Sequence, residues 1–288
     1  MSYSQYSVLS SVYNKENPHY LRRSIDSIIS QRFVTDDFVI VKDGPLTKEL
    51  EAILDEYSSK YNFIHVCGYE ANKGLGAALN FGLAKCKNEL VARMDTDDIS
   101  LPNRFEKQIA VFNKNPELGI LGSDILLFSD DENVIEGRKK MPSTYEEIYR
   151  FGKRRNPFNH PTVMYKKSIV AQYGGYNETQ RGEDLALFTK IVQNHVSAMN
   201  IPEPLLLYRS NKDQFSRRTS MTDSKAVIRV IYNNYKSGYA GLSDLLYVIA
   251  LQLAGHLISP KIGGFLYKKF FLNKSCNFFL LILSFLSF

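Results

Sequence analysis

The stretch Arg93-Met94-Asp95-Thr96-Asp97-Asp98 decides how the rest of this chain is arranged. It follows an apolar run at residues 89–92, which predicts a buried strand, and it precedes Leu101-Pro102, which predicts the start of a helix. Three carboxylates within four residues repel one another unless a positive group lies among them. A divalent cation that prefers oxygen ligands, Mg²⁺ or Mn²⁺, is the simplest such group, and it keeps coordination positions open for substrate phosphates.

An acidic turn is the alternative interpretation of these carboxylates, because Asp is common in turns and at helix N-caps. For an isolated D-x-D pattern this alternative is the stronger one. Motifs elsewhere in the chain favour the metal site instead.

The composition is that of a globular protein with an anionic partner. With 288 residues, 44% of them hydrophobic and 23% charged, the chain can form one large domain with an appendage or two small domains. A net charge of +6 indicates affinity for phosphates, nucleic acid or a membrane surface, without choosing among them. Two clusters contain much of the basic excess, one at residues 150–155 and one at residues 261–274.

The cysteines and the N-terminus bear on the cellular compartment. Cys67, Cys86 and Cys276 are odd in number and have no C-x-x-C spacing, which predicts neither a disulfide framework nor a zinc site and favours a reducing compartment. Residues 1–6 have no basic and apolar signal regions, and no stretch before residue 240 has the composition of a membrane span. We therefore expect a cytoplasmic protein.

Strands and helices alternate along the first half of the chain. Asn17-Pro18 predicts a capped helix start, and Thr47 predicts another. This alternation predicts an α/β protein with a doubly wound, mainly parallel sheet. The predicted strands lie at residues 6–12, 38–41, 63–67 and 89–92, and the predicted helices follow the first three of them.

Polar residues follow each of these strands. In doubly wound sheets ligands bind beyond the carboxyl ends of the strands. That rule predicts one rim containing Ser10-Ser11, Asp43, the loop at residues 70–76 and the acidic stretch. Gly74 and Gly76 allow the backbone to approach a ligand there, although their spacing matches neither a P-loop nor a dinucleotide-binding fingerprint.

Later in the chain, Glu183-Asp184 open a predicted helix directly after Gly182. A carboxylate pair across a cleft from a metal site suits a general base that takes a proton from an acceptor hydroxyl. Helix N-capping is the alternative. His160 lies in a loop between two prolines and is a candidate to hydrogen-bond either a ligand phosphate or a backbone carbonyl.

These motifs together resemble an inverting family-2 glycosyltransferase of the GT-A fold. The resemblance covers about residues 5 to 210, and within the family it is greatest for enzymes that build bacterial O-antigen, capsule or exopolysaccharide repeat units. Several of these transfer glucose or galactose from a UDP-sugar through a β-1,3 linkage. The motifs, in order, are SVLSSVYN at 7–14, VKDG at 41–44, NKG at 72–74, DTDD at 95–98 and GED at 182–184.

The resemblance implies a nucleotide site on the amino-terminal half of the chain. Ser11 would face the nucleotide, Asp43 would hold the uracil ring, and Lys73 would contact the diphosphate. Asp95 and Asp97 would form the D-x-D pair that binds Mn²⁺ or Mg²⁺, and Asp97 is the stronger candidate for a direct metal ligand.

The resemblance also implies the acceptor side of the reaction. Asp184 would be the catalytic base and Glu183 its acidic neighbour in the substrate site, with His160 nearby. The acceptor would be a sugar on undecaprenyl diphosphate at the cytoplasmic face of the inner membrane, and nucleic acid would not be a partner. The Q-x-x-R-W motif of processive synthases is absent, as is tryptophan altogether, which favours transfer of a single hexose. Lys42 stands where many members have an acid, so any role of that acid is lost.

The C-terminal region has a different character. We expect a catalytic domain at residues 1–222 and a helical, apolar and basic region at residues 223–288. Its last apolar run, at residues 278–288, is shorter than the about 20 residues that a helical span requires. Aromatic residues beside lysines at residues 263–269 favour an interfacial helix on anionic lipid, and packing on the catalytic domain or dimerisation is the alternative.

Two other functions are alternatives for this sequence. A metal-dependent nucleotidyltransferase needs a Gly-rich loop with Arg and Lys directly after the first strand, and Tyr13-Asn14-Lys15 does not supply one. A non-catalytic module that binds an anionic surface would explain the +6 charge but not the carboxylates at the strand ends.

Overall fold

The computed structural model describes residues 5–178, 181–210 and 220–257. A nine-stranded sheet lies between helices, and a short 3₁₀ turn, His160–Thr162, precedes the eighth strand. The elements are β1 (Ser7–Val12), α1 (Pro18–Ile29), β2 (Asp37–Asp43), α2 (Lys48–Lys60), β3 (Ile64–Tyr69), α3 (Leu75–Lys85), β4 (Leu90–Arg93), β5 (Ile99–Ser100), α4 (Arg104–Lys114), β6 (Ile120–Phe128), β7 (Gly137–Lys139), α5 (Tyr145–Gly152), β8 (Met164–Lys166), α6 (Lys167–Gln172), α7 (Glu183–Gln193), β9 (Ala198–Arg209), α8 (Met221–Lys236) and α9 (Leu242–Leu257).

The sheet has a parallel half and a mixed half. In the first, the strand order is β3-β2-β1-β4 and all neighbours are parallel. In the second, β8 is antiparallel to β4 and β6, β6 is parallel to β9, β5 pairs with β9, and β7 pairs with β6. The predicted doubly wound, mainly parallel sheet is confirmed.

Helices cover both faces of the parallel half, which explains its continuously apolar strands. Successive side chains of a strand point to opposite faces. Val8 accordingly packs in the layer formed with α1, α2 and α4, whereas Leu9 packs in the layer formed with α3 and α7. The parallel register brings the carboxyl ends of β1, β2 and β4 to one edge of the sheet, where the polar residues were predicted to meet.

The predicted helix starts are largely correct. Asn17 accepts hydrogen bonds from the backbone N–H groups of His19 and Tyr20, and Thr47 accepts one from Leu50. The helix predicted to begin at Leu101-Pro102 begins instead at Arg104, because the Leu101 N–H donates to the Leu205 carbonyl of β9 over 3.0 Å. That same pairing with β9 creates the short strand β5, which has no signal in the local sequence.

The two C-terminal helices, α8 and α9, pack against the helical layer that contains α5 and α7. Ala226 of α8 approaches Gly182 at the start of α7, and the Tyr239 hydroxyl donates to the Tyr149 carbonyl of α5 over 2.7 Å. The domain boundary predicted at residue 222 falls in the first turn of α8. None of the helices in the described ranges combines the length and apolarity that crossing a bilayer requires. The predicted interfacial and terminal apolar segments, at 263–269 and 278–288, lie outside the described residues.

Candidate active site

A cluster of acidic side chains lies where β4 ends. Carboxylate oxygens of Asp95, Asp97 and Asp98 lie within 4.8 Å of one another. Glu16, in the loop after β1, approaches the cluster and accepts a 2.6 Å hydrogen bond from the Thr96 hydroxyl. The fold therefore adds a fourth carboxylate, from a distant part of the sequence, to the three that are adjacent in the chain.

Burial and mutual repulsion make these carboxylates hard to ionise together. Burial, with the charges of Asp95 and Glu16, raises the pKa of Asp97 to about 7. Burial and the two neighbouring aspartates raise the pKa of Asp98 well above its usual range. A positive charge among the carboxylate oxygens would lower both of these pKa values.

The donor set fits a hard divalent cation. Asp98 is fully buried; its Oδ1 accepts a 2.8 Å hydrogen bond from the Arg209 N–H, while its Oδ2 has no hydrogen-bond partner within the described part of the chain. A buried carboxylate oxygen without a partner is costly unless it binds a ligand. Three carboxylates in close proximity are the oxygen ligands that Mg²⁺ and Mn²⁺ prefer. Asp98 is therefore a candidate metal ligand in addition to the predicted pair Asp95 and Asp97.

Asp43, at the end of β2, organises the loop that leads into α3. Its Oδ1 accepts hydrogen bonds from the Tyr69 hydroxyl and the Lys73 N–H, each 2.8 Å long, and its Oδ2 accepts one from the Gly74 N–H over 3.1 Å. Asp43 is 5% exposed. Each carboxylate oxygen has two lone pairs, so Oδ2 can accept one further hydrogen bond from a ligand.

Ser11 and Lys73 lie at the same edge of the sheet. Ser11 is half-buried near the end of β1, and its carbonyl accepts a 3.4 Å hydrogen bond from the Thr96 hydroxyl of the acidic stretch. The Lys73 side chain is exposed, and its Nζ lies 4.8 Å from the centre of the Tyr69 ring. The structure thus brings Ser11, Asp43, Lys73 and the acidic cluster together, as the strand order predicts.

Asp184 opens α7 and is held by contacts on both carboxylate oxygens. Oδ1 accepts a hydrogen bond from the Leu185 N–H over 2.8 Å, and Oδ2 accepts one from the Asn156 side-chain amide over 2.7 Å. Burial raises the pKa of Asp184, and burial together with Asp184 raises the pKa of Glu183 to about 7. Gly182, which precedes the pair, has a φ of +78°, a left-handed conformation that glycine adopts without strain.

His160 lies behind Asp184. Its Nδ1 is 3.9 Å from Asp184 Oδ2, and its Nε2 is 3.3 Å from the Tyr176 hydroxyl. Burial and the charge of Arg93 lower the pKa of His160 well below its usual range, so the ring is neutral. Within the described residues His160 contacts Tyr176 and packs beside Asp184, and contact with a ligand phosphate stays a prediction.

Arg93 connects the two acidic groups. It is 2% exposed and forms an ion pair with Asp95. Its positive charge offsets part of the rise in the pKa of Asp97 in the acidic cluster and of Asp184 at the start of α7. The two groups therefore share one electrostatic environment, with a buried cation between them.

Four residues of this site were not predicted from the sequence: Glu16, Arg93, Asn156 and Arg209. Arg93 and Asn156 each lie within a few residues of a predicted motif, but nothing in the local pattern gives them a role. Glu16 and Arg209 lie far from the acidic stretch in sequence. Arg209 donates from Nε to the Asp97 carbonyl over 2.9 Å, a contact that exists only because β9 pairs with β5.

Comparisons with known proteins agree with this geometry. The family model described as "Glycosyl transferase family 2" matches residues 7–174. An uncharacterized glycosyltransferase of Haemophilus influenzae is 38% identical over 266 residues, covering 92% of this chain and 98% of the relative. The UDP-Gal:alpha-D-GlcNAc-diphosphoundecaprenol beta-1,3-galactosyltransferase of Escherichia coli is 35% identical over 268 residues, covering 92% of this chain and 96% of the relative.

A solved structure agrees in fold. S. aureus TarS 1-349 in complex with UDP-GlcNAc superposes with a TM-score of 0.63 at 19% identity, covering 91% of this chain and 75% of that one. Neither the nucleotidyltransferase nor the binding-module alternative accounts for these matches. From its motifs, its sheet and these relatives, the chain belongs to glycosyl transferase family 2 and has the GT-A fold.

Proposed function

We propose that this protein transfers one hexose, glucose or galactose, from a UDP-sugar to a hydroxyl of a lipid-linked sugar, with inversion and through a β-1,3 linkage. The product would be an intermediate of bacterial surface polysaccharide, such as O-antigen. The observation that carries this proposal is that Asp184 and the Asp95/Asp97/Asp98 cluster lie close enough to act on each other electrostatically, with the buried Arg93 paired to Asp95.

The donor side is supported by the rim at β1 and β2. A nucleoside diphosphate requires hydrogen-bond acceptors for its base and positive groups for its phosphates. The free lone pair of Asp43 Oδ2 suits the N–H of a uracil ring, and Lys73 is exposed beside it. The TarS structure contains UDP-GlcNAc, and the E. coli relative is named for UDP-Gal. Both favour UDP as the nucleotide.

The acidic cluster would hold Mn²⁺ or Mg²⁺ through Asp95, Asp97 and Asp98. Such a cation, when bound, would neutralise charge on the leaving diphosphate. Arg93 pairs with Asp95, and its buried charge limits the repulsion among the carboxylates. Arg209 fixes the orientation of Asp98 through its backbone N–H.

Asp184 would act as the general base. It would accept the proton of the acceptor hydroxyl while that oxygen attacks the anomeric carbon from the face opposite UDP. The bond to UDP breaks in the same step, so the configuration inverts and no covalent enzyme intermediate forms. Asn156 and the Leu185 N–H hold the carboxylate in one orientation, and its raised pKa makes it a stronger proton acceptor than an exposed Asp.

The lipid-linked acceptor is proposed from the E. coli relative, which acts on GlcNAc-diphosphoundecaprenol. This acceptor would bring the enzyme to the cytoplasmic face of the inner membrane as a peripheral protein.

The test is UDP release from a panel of UDP-sugars, with Mn²⁺, with Mg²⁺ or with EDTA, using GlcNAc- or GalNAc-diphosphate-lipid acceptors. We expect metal-dependent release with one hexose and loss of at least about 100-fold in kcat for Asp97→Asn and Asp184→Asn, since each removes a group that acts in the transition state. Asp55→Asn, an exposed change on α2, is the matched control.

Retention of full turnover by Asp184→Asn would remove this residue as the base and shift attention to Glu183. Absence of UDP release with any donor, together with absence of UDP binding by calorimetry, would contradict the proposed function as a whole.

A further inference from the structure

A basic groove lies beside α5, outside the site described above. Its volume is about 650 Å³, and Arg138, Lys140, Arg150, Lys153 and Arg154 line it. This volume is within the range of about 300–1,000 Å³ that is typical of small-molecule sites. Asp124, Glu147 and Asp244 also line it, so the groove carries more positive than negative side chains.

All three acids already accept hydrogen bonds from other groups of the protein. Asp124 accepts two hydrogen bonds from Arg138, of 2.9 and 2.6 Å, and Asp244 accepts one from Arg154 over 2.6 Å. Glu147 accepts hydrogen bonds from the N–H groups at residues 143 and 144 and caps α5.

Three cations are left without such a partner. Lys140, Arg150 and Lys153 have no carboxylate within ion-pair distance in the part of the chain that the structure describes. Arg150 exerts only a longer-range attraction on Glu147. The Lys153 Nζ lies 5.4 Å from the centre of the Tyr149 ring. Cations gathered in a concave site without counter-charges indicate an anionic ligand.

The basic end of α5, which lines the groove, lies near the start of α7, because α5 runs antiparallel to α7. At the start of α5, the Tyr145 hydroxyl donates to the Val192 carbonyl near the end of α7. Just beyond the end of α5, Asn156 donates to Asp184 at the start of α7. Lys153 and Arg154 therefore lie near the end of α7 that carries Asp184.

Helix α9 borders the groove. Arg154 links the groove to α9 through its ion pair with Asp244 and its position 4.6 Å from the centre of the Tyr247 ring. On α9, Leu242, Leu246 and Leu253 are each more than half exposed. Their spacing of four and seven residues puts them on one side of the helix, which at about 3.6 residues per turn is the side opposite Asp244, so they face away from the groove.

We propose that the basic groove binds the diphosphate of the lipid-linked acceptor, so that Lys140, Arg150 and Lys153 position the acceptor sugar at Asp184. This inference rests on the proposed function, since it assigns a subsite to the acceptor of that reaction. Such a subsite would make the protein selective for sugars carried on a diphosphate over simple glycosides.

The experiment compares two soluble acceptors that differ only in the diphosphate: octyl diphosphate-linked GlcNAc and octyl GlcNAc glycoside, or the GalNAc pair. The test variant is Arg150→Gln with Lys153→Gln. We expect kcat/KM for the diphosphate acceptor to fall about tenfold or more, equivalent to about 1.4 kcal/mol. The fall should come from a higher KM for this acceptor. For the glycoside the change should be less than about twofold, and KM for the UDP-sugar should not change.

Two control variants separate charge from folding. Arg32→Gln with Lys48→Gln removes the same charge from exposed positions on the opposite helical layer and should leave both acceptors unaffected. Arg150→Lys with Lys153→Arg keeps the charge and should keep most of the affinity for the diphosphate acceptor. Melting temperatures of all variants verify folding.

Equal losses with both acceptors, or no loss with the diphosphate acceptor, would overturn the inference. The second outcome includes the case in which the groove binds phospholipid headgroups, since these assays contain no bilayer. Calorimetry with octyl diphosphate alone tests the groove independently of the proposed sugar transfer. Binding that weakens in Arg150→Gln with Lys153→Gln supports the groove even if no sugar is transferred. Binding that is absent, or unchanged in that variant, contradicts the groove.

Discussion

Asn156 and Asp184 are 28 residues apart in sequence, yet the Asn156 amide donates a 2.7 Å hydrogen bond to Asp184 Oδ2. The loop after α5 thereby determines the orientation of a carboxylate on α7. Because the same loop begins at the basic end of α5, one short segment connects the proposed acceptor subsite with the proposed base. If both proposals hold, this segment couples the positioning of the base to the recognition of the acceptor.

Loss of that hydrogen bond should slow catalysis without affecting the donor. We expect Asn156→Ala to lower kcat by roughly 10- to 100-fold, since a misplaced base fails to meet the acceptor hydroxyl in line, while KM for the UDP-sugar stays within about twofold. Steady-state kinetics measure both quantities. Asn194→Ala, at the exposed far end of α7, removes a comparable amide and should leave kcat unchanged. An unaltered kcat in Asn156→Ala would refute the positioning role.

Asp98 should matter more for metal binding than for folding. Asp98→Asn keeps an oxygen to accept from the Arg209 N–H and removes a buried charge that faces Asp97 and Asp95. We expect the metal-free variant to melt at or above the temperature of the metal-free wild type, because repulsion is relieved.

The stabilisation that Mn²⁺ gives the wild type should be largely absent in Asp98→Asn. A bound ligand at 100 times its Kd stabilises a protein by about 2.7 kcal/mol, which is readily seen in a melting curve. Thermal unfolding in EDTA and in Mn²⁺ measures both effects. A full metal-induced shift in the variant would exclude Asp98 from the ligand set.

The stability of the metal-free protein should fall as pH rises from about 4 to about 8. Burial raises the folded-state pKa of both Asp97 and Glu183 to about 7, whereas in the unfolded chain these groups titrate near 4. Between these values the folded protein holds protons that the unfolded chain has released, so their contribution is complete at acid pH and is lost as pH passes through 7. We expect a decrease of several kcal/mol in the free energy of unfolding, since each shift of about three pKa units corresponds to about 4 kcal/mol.

Urea unfolding in EDTA at pH 5 and pH 8 measures this difference. The double variant Asp97→Asn with Glu183→Gln lacks both groups and should show a much smaller change. Greater stability of the wild type at pH 8 than at pH 5 in EDTA would contradict the assignment.

Arg93 should be essential to the stability of the site. Arg93→Met leaves Asp95 without its buried counter-charge and removes the cation that also acts on Asp97 and Asp184. Removing one partner of a fully buried ion pair costs about 3–5 kcal/mol, and because the Asp95 side chain is 32% exposed the lower end of that range applies here. We expect a loss of that size at neutral pH in EDTA, measured by urea unfolding. Arg32→Met, at an exposed position without an ion pair among the described residues, should change stability by less than about 0.5 kcal/mol.

The sequence by itself determined the features that depend on neighbouring residues. Asn17-Pro18 and Thr47 fix helix starts because a side chain caps backbone N–H groups only a few positions away. Alternating strands and helices predict a parallel sheet, and the parallel sheet predicts that Ser11, Asp43, Lys73 and Asp95 lie along one edge. The acidic stretch and the Glu183-Asp184 pair are also visible locally, because their residues are adjacent in the chain.

Only the tertiary structure decided which distant residues complete those motifs. Asn156 reaches Asp184 because α5 packs antiparallel to α7, and Arg209 reaches Asp98 because β9 pairs with β5. Neither partner carries a local signal, since an Asn in a loop and an Arg at a strand end are common throughout proteins. Their roles arise from long-range packing, where buried polar groups must find partners across the fold, and that requirement is satisfied only once the chain has assembled.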